Sequence, residues 1–442
     1  MDQLITSFGA CADSDFKNTQ AIQQAIDEVA KAGGRVIVPP GVWRTGMLQL
    51  RSHVELHLQR GAVLLGTNDP EDYPSVDVVE KGILQSRRAF DRRMIFGCEV
   101  EDVAVTGPGT IDGNGGCADT EFSRGAEGRP NNIQFVASRR VTVEGLHLRC
   151  AGSWMMQVLA CEDVSLSGLR IWNHGNKTND GMDIDGSRDV RIQNCSIDSH
   201  DDALVFKSTG PKSCREIVVS NCTLRSNCHG IKFGTESVGG FENIRVANCL
   251  IGRSRKPSPM AGYPQGRPSI TGCALECTDG GTMRNISISG LVVEEALAPI
   301  FIKLGNRHDR RIPGEDFQGT GKIENIHIDN ILARQVGPFC CSVTGMPEEP
   351  IRGVQLSNLQ ISFEGGLVPE KILSEVPENN ADYPEINMFG GQVAKKAGKV
   401  LPAWGFFFRH VQGLSVQNCQ LTCRKPDPRS MIVKDQVTSA DG

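Results

Sequence analysis

One short pattern recurs along most of this chain, and it restricts the possible folds more than any other feature. A small or charged group precedes alternating apolar residues, then Asn or Gly, then a further apolar pair. Copies are Glu101-Asp102-Val103-Ala104-Val105, Arg139-Arg140-Val141-Thr142-Val143 and Glu162-Asp163-Val164-Ser165-Leu166. Arg188-Asp189-Val190-Arg191-Ile192, Arg215-Glu216-Ile217-Val218-Val219 and Glu242-Asn243-Ile244-Arg245-Val246 continue it, and later copies begin at Arg284, Glu324, Arg352 and Gln412. Between Val141 and Ile244 the step is about 23–27 residues, within the solenoid range. The alternation has period two, so the copies are strands with one face buried. No helix-length segment separates them, which argues against a βαβ sheet. The predicted fold is all-β: a single right-handed parallel β-helix domain over 1–442. One coil cannot bury its own face, and stacked coils share a continuous core. Composition agrees. Aromatic residues make up only 5% of the chain, as a narrow coil interior filled by Ile, Val and Leu requires, and the 49 glycines are expected at the corners between strands.

Both ends of the repeat differ from its middle. Ala21, Ile22, Ala25, Ile26, Val29 and Ala30 fall at helical spacing and Gly33-Gly34 closes the run, so about 18–32 is read as a helix capping the open solenoid end. Gly33 to Leu65 reads as the first strands. From about 364 to 405 the repeat breaks into a segment rich in Pro, Gly, Lys and Glu, expected to be a long excursion beside the coils, and long loops of this kind often carry function.

Composition excludes some partners. The chain carries a net charge of -5, which gives no global basic field for nucleic acid. No uninterrupted apolar run is long enough to span a bilayer. Sixteen cysteines could mean disulfides, metal sites or buried thiols. Cys195, Cys222, Cys249 and Cys419 each follow an Asn at the same point of the repeat, a spacing unlike a zinc site. Cys195, Cys222 and Cys249 are expected to stack as free thiols that act as small apolar residues. Met1 to Ala10 shows no signal peptide, and the unpaired-looking thiols suit a reducing cytoplasm; a periplasmic or secreted protein with a trimmed N-terminus is the alternative.

Aligning the coils places acidic and basic residues in columns. Met155 to Leu159, Gly181 to Asp185, Ala203 to Lys207, Gly230 to Gly234 and Ala274 to Thr278 fit one frame. Just ahead of it stand Trp154, Asp180, Asp202 and His229, with Asp201 beside Asp202. An outward column holds Gln157, Asp183, Val205, Lys232 and Glu276. A further column holds Asp185, Lys207 and Lys303. Neighbouring strands are about 4.8 Å apart, so these side chains are expected to share one solvent-facing patch and to shift one another's pKa. Like charges stacked this closely are destabilising and need a reason. Glycoside hydrolysis supplies one: one carboxylic acid protonates the leaving oxygen while another, ionised, activates water or attacks the sugar. Repulsion among Asp180, Asp201 and Asp202 is expected to raise at least one of them.

The same residues carry a family resemblance. Thr178-Asn179-Asp180-Gly181 resembles the Asn-Thr-Asp-Gly element of glycoside hydrolase family 28, the polygalacturonases, with its first two residues altered. Asp201-Asp202 matches the family's Asp-Asp pair and is followed by an apolar run and Lys207-Ser208. Cys228-His229-Gly230 resembles its Gly-His-Gly element with the first glycine lost. Gly109-Thr110-Ile111-Asp112-Gly113 resembles a further family segment, and the resemblance covers roughly 5–360. It implies inverting hydrolysis of α-linked uronic acid chains without a cofactor. Asp201 would be the general acid, Asp180 and Asp202 would position and deprotonate the water, and His229 would support them.

One departure bears on the substrate. Ala274-Leu275-Glu276 stands where polygalacturonate-cleaving members carry Arg-Ile-Lys for the substrate carboxylate. The register above then suggests a Lys232–Glu276 pair, with Lys207, Lys303 and Arg307 left to bind a carboxylate, or Glu276 accepting sugar hydroxyls. A pectic or other uronate-containing oligosaccharide cut from one end is the expected partner. Asn179 and Asp183 are expected at the substrate, Trp154 is a candidate sugar platform, and Leu304 to Arg311 reads as a polar loop by the cleft. Two alternatives stand beside this reading. One is a β-eliminating lyase holding Ca²⁺ through Asp180, Asp183, Asp185, Asp201 and Asp202. The other is a non-catalytic carbohydrate-binding or adhesin-type β-helix.

Overall fold

The computed structural model describes all residues except 13–14, 77, 79–90, 116–128, 177, 257–267, 309–318, 389–398 and 440–442. The chain divides into two compact units, Met1–Asp201 and Asp202–Gly442. Both are built from parallel strands stacked coil on coil, the β-helix that the repeat predicts.

The first unit opens with a short strand, Asp2–Leu4, that pairs in parallel with Gly34–Val38. The repeat pattern gives no sign of that strand, because it is only three residues long. The helix Thr19–Ala30 follows, burying Ala21, Ile22, Ala25, Ile26 and Val29 on one face, and the chain leaves it through Gly33 at φ 74°. Asn18 ties its start down: its Oδ1 accepts from Cys11 N–H at 2.7 Å, and its Nδ2 donates to Cys11 O at 3.0 Å. Three stacks of strands then run through the unit. One holds Arg93–Cys98, Asn131–Val136, Met156–Leu159 and Met182–Asp185. A second holds Glu101–Thr106, Arg139–Glu144, Glu162–Ser167 and Arg188–Gln193. The third holds Thr110–Asp112, His147–Arg149, Arg170–Asn173 and Ser196–Ser199. Strict register puts like residues over like: Val103, Val141, Val164 and Val190 form one buried column. Each such column removes apolar surface from water at every coil, which is the main stabilisation of the stack.

The second unit continues the plan with Leu204–Ser208, His229–Ser237, Ser269–Cys277, Ala296–Leu304, Cys341–Thr344 and Ala403–Gln417 in one stack. Between the strands Ile351–Gly365 and Ala403–Gln417 the chain makes the expected excursion, with a single short 3₁₀ turn at Pro369–Lys371 among its described residues.

Glycine is not the main corner residue. The second position of each repeat copy has positive φ, and it is Asp102, Arg140, Asp163 and Asp189 in the first unit. In the second it is Glu216, Asn243, Asn285 and Asn325, and only then Gly353 and Gly413. Asn and Asp tolerate this left-handed conformation best among residues with side chains. The Asn-Cys pairs have the same origin. Asn194, Asn221 and Asn248 take φ of 55–57°, and the next residue turns inward. Cys195, Cys222 and Cys249 are buried free thiols, and each Sγ lies 3.3 Å from the carbonyl two residues back. Cys150, by contrast, is disulfide-bonded. Among the described residues no helix is long and apolar enough to cross a membrane.

Candidate active site

In the first unit the turn before Met182–Asp185 carries Asp180. Asn179 builds that turn: its Nδ2 donates to Ser153 O at 2.7 Å and Ala151 O at 3.1 Å, and its Oδ1 accepts from Asn176 N–H at 2.6 Å. Its amide is thus committed to backbone, and Asn179 is a scaffold residue rather than the substrate ligand expected. Asp180 itself is buried, and its backbone carbonyl accepts from Met155 N–H at 3.0 Å and Asn173 Nδ2 at 2.7 Å. Arg129, which donates to Thr178 Oγ1 at 3.0 Å, feels the Asp180 charge; burial lowers its guanidinium pKa and that charge opposes the change. Asp183 and Asp185 are fully buried. Gln157 Nε2 donates to Asp185 Oδ2 at 3.2 Å. Behind it run bonds from Gln134 Nε2 to Gln157 Oε1 and from buried Arg93 Nε to Gln134 Oε1. A donor-only guanidinium at one end and an acceptor-only carboxylate at the other fix the direction of both amides. Asp201 is only half-buried, and its N–H bonds to Asn179 O at 3.2 Å.

Two expectations for this unit need correction. Asp180, Asp183 and Asp185 are packed inside rather than lying on a solvent-facing patch. Trp154 is only 4% exposed, so it presents no open sugar platform.

In the second unit Asp202 precedes Leu204–Ser208 and meets His229, which opens the strand His229–Ser237. His229 N–H donates to Asp202 Oδ1 at 3.1 Å, and Lys232 Nζ stands 3.2 Å from Asp202 Oδ2. Burial would raise the Asp202 carboxyl, but Lys232, with His229 and Lys207, carries it below the ordinary carboxylate value. Asp202 is therefore ionised. Glu276 shifts the other way. Burial pushes it up to about 7 against the pull of Lys232 at 4.0 Å, and its Oε2 has no hydrogen-bond partner among the described residues. Burial also takes His229 down to about 4, so its ring is neutral at neutral pH; Nδ1 and Thr271 Oγ1 lie 2.8 Å apart. Burial works against the Lys232 charge, but Asp202, Tyr383 and Glu276 hold its pKa well above the ordinary lysine value.

The strand register here differs from the expected one by two residues. Lys232 lies opposite Ala274, not Glu276, and Glu276 lies opposite Lys303. The Lys232–Glu276 approach survives only because the lysine reaches diagonally. Lys207, Lys303 and Arg307 do not share one exposed patch either. Lys207 faces Glu236 at 3.4 Å. Arg307 grips Asp279 with two bonds, of 3.1 and 2.5 Å, and donates to Thr235 Oγ1 at 2.9 Å. Of the Leu304–Arg311 loop, residues 309–311 lie outside the described ones.

Sequence reasoning missed the residues that cover these cations. Tyr383, in the excursion, accepts from Lys232 Nζ at 2.8 Å through its hydroxyl, and the residue as a whole stays 40% exposed. Lys232 and Arg307 both lie within 6 Å of the ring centroid, at 5.5 and 5.9 Å. Asn380 Oδ1 and the Glu378 carbonyl accept from Lys303 Nζ at 2.7 and 3.2 Å. Only the position of Tyr383, one of three tyrosines, in a long excursion hinted at this.

Residues 77–380 match glycosyl hydrolases family 28, and the chain belongs to that family. The match leaves the N-terminal cap outside and takes in Glu378 and Asn380. Among similar proteins, a "Probable polygalacturonase" of Vitis vinifera is 33% identical over 214 residues, 46% of this chain and 44% of that protein. An "Exo-poly-alpha-D-galacturonosidase" of Dickeya chrysanthemi is 39% identical over 116 residues, 25% of this chain and 19% of that protein. The chain thus spans less than half the length of these curated relatives. The family 28 exopolygalacturonase structure from Yersinia enterocolitica superposes with a TM-score of 0.74 at 18% identity, covering 99% of this chain and 78% of that one, a likeness of fold.

Proposed function

We propose that this chain hydrolyses α-linked, uronic-acid-containing oligosaccharides of pectic type, removing units from one end with inversion at the anomeric carbon. The carrying observation is Asp202: a buried carboxylate kept ionised by Lys232 at 3.2 Å and oriented by the His229 N–H at 3.1 Å, as a base toward water must be. Asp201, less buried than its neighbours, delivers a proton to the glycosidic oxygen as the bond from the anomeric carbon breaks. Water adds to that carbon from the opposite face and gives its proton to Asp202, with Asp180 helping to position it. His229, neutral and bonded to Thr271, orients Asp202 rather than transferring protons. Two features support action at a chain end. The excursion closes over Lys232 and Lys303, and two of the similar proteins are exo-acting by name.

The test is product analysis on a panel of pectic oligosaccharides, with reducing-end and anomer-resolved NMR readouts. Single-unit release with inverted anomer is expected, and Asp201→Asn is expected to lose about 100-fold or more of the rate. An Asp201→Asn protein at full rate would end the acid assignment. An ultraviolet-absorbing unsaturated product that disappears on chelation would replace hydrolysis with elimination.

A further inference from the structure

Among the described residues of the second unit, three cations of the site are paired and one is not. Lys207 has Glu236, Lys232 has Asp202, and Arg307 has Asp279. Lys303 is 1% exposed, yet no carboxylate among the described residues lies within ion-pair distance of its Nζ. Its two partners are neutral oxygens, the Asn380 side chain and the Glu378 backbone carbonyl. The Glu378 carboxylate is committed elsewhere, at 3.4 Å from Arg409 Nη1 and 3.2 Å from His410 Nε2. Glu276, opposite Lys303 in strand register, points its carboxyl toward Lys232. A buried ammonium satisfied only by neutral acceptors is costly, and a small anion would remove that cost. Both neutral acceptors come from one segment, 378–383, whose Tyr383 hydroxyl also stands on Lys232.

We propose that Lys303 is the seat for the carboxylate of a uronate unit, and that Asn380 occupies it as a stand-in until substrate displaces it. The carboxylate takes the place of Asn380 Oδ1 on Lys303 Nζ, and the 378–383 segment shifts to admit it. This makes Lys303 and Asn380 specificity-determining residues outside the aspartate cluster. Burial lowers the Lys303 pKa to about 7, as expected for an ammonium still lacking its counter-ion. The inference rests on the uronate-hydrolase reading above, and its test separates the two.

Binding is measured by calorimetry on Asp201→Asn protein, so that no turnover is needed, with digalacturonate and its fully methyl-esterified form as probes. Adding Lys303→Met is expected to weaken digalacturonate about 10-fold or more, the worth of one charge-assisted bond, and to leave the ester within about 2-fold. Lys303→Arg is expected to recover part of the loss. Asn380→Ala, which leaves Lys303 intact, is expected to tighten digalacturonate a few-fold by removing the competitor. Equal weakening of both probes by Lys303→Met, or no weakening of either, overturns the seat. Weaker binding in Asn380→Ala overturns the displacement. If the Asp201→Asn protein binds neither probe, the uronate reading falls together with this one.

Discussion

Lys232→Met isolates the interaction on which the candidate base depends. In the wild-type chain Asp202 and Lys232 are both buried and 3.2 Å apart. At an effective dielectric of about 20, two unit charges at that separation attract by about 5 kcal/mol before desolvation is subtracted. Removing one partner leaves a buried, uncompensated carboxylate, and such truncations cost about 3–5 kcal/mol. The loss should depend on pH. Wild-type Asp202 sits below its ordinary 3.8, so the pair stabilises the native state above that value and is lost only as pH falls through the lower one. In the variant, burial meets only the weaker pulls of His229 and Lys207, so the carboxyl should rise and acid should protonate Asp202 and relieve the strain. Urea denaturation at pH 7 should therefore show the full loss, and the gap to wild type should narrow toward pH 4. Adding Asp202→Asn should recover about 2 kcal/mol or more of the loss. A gap that does not change between pH 7 and 4, or a double variant whose losses simply add, would show that Lys232 does not hold Asp202 ionised.

Two further outcomes follow from the same unit. Glu276→Gln should stabilise the chain at pH 8 relative to pH 4.5: the native carboxyl, raised from 4.5 to about 7, keeps a proton that the unfolded chain releases across that window, so wild type alone loses stability as pH rises through it. The differential is about 3 kcal/mol at most, read from urea midpoints at both pH values, and no differential would mean that Glu276 is not raised. Gly230→Ala should cost about 1–3 kcal/mol in thermal unfolding, because a Cβ there would sit 2.3 Å from Ile251 Cγ2 and 3.0 Å from Gly272 O; an unchanged Tm would show that the coil next to His229 has slack.

The repeat made the strands legible and left the pairing of charges hidden, for a definite physical reason. Side chains along a strand alternate with period two, so a slip of one residue would bury charge and expose Ile231 and Phe233. A slip of two preserves the alternation and is silent in the pattern. The strand His229–Ser237 contains such a shift: Phe206 faces Phe233, but Ser208 faces Ser237. Across the next pair of strands the register is constant and sets Lys232 over Ala274, and Glu276 lies over Lys303, while apolar patterning is equally satisfied by Lys232 over Glu276. Gly234 lies in the shifted stretch. It has φ 84°, and a Cβ there would meet Glu276 O at 2.1 Å, so only a residue without a side chain lets the two coils approach this closely.

The cover over the cations could not be read from spacing at all. Tyr383 and Asn380 lie 151 and 77 residues along the chain from the lysines they meet, in a segment that has no repeat. Periodicity specifies which face a side chain takes, whereas burial of that face by a distant segment depends on where the excursion returns. That return changes the cause of the shifts. On a solvated surface neighbouring charges perturb one another through water and salt, which weaken the effect. Under the excursion they are desolvated, so each must find a partner or shift, and the outcome differs residue by residue. Asp202 finds Lys232 and is held ionised, Glu276 lies 4.0 Å from the same lysine and is raised, and Lys303, whose partners among the described residues are neutral oxygens, is lowered. Two opposed shifts fall on residues that are neighbours in strand register: burial raises the Glu276 carboxyl to about 7 and lowers the Lys303 amine to about 7. An anion entering there would charge Lys303 and leave Glu276 protonated, a pairing that the Ala274-Leu275-Glu276 stretch by itself gave no reason to expect.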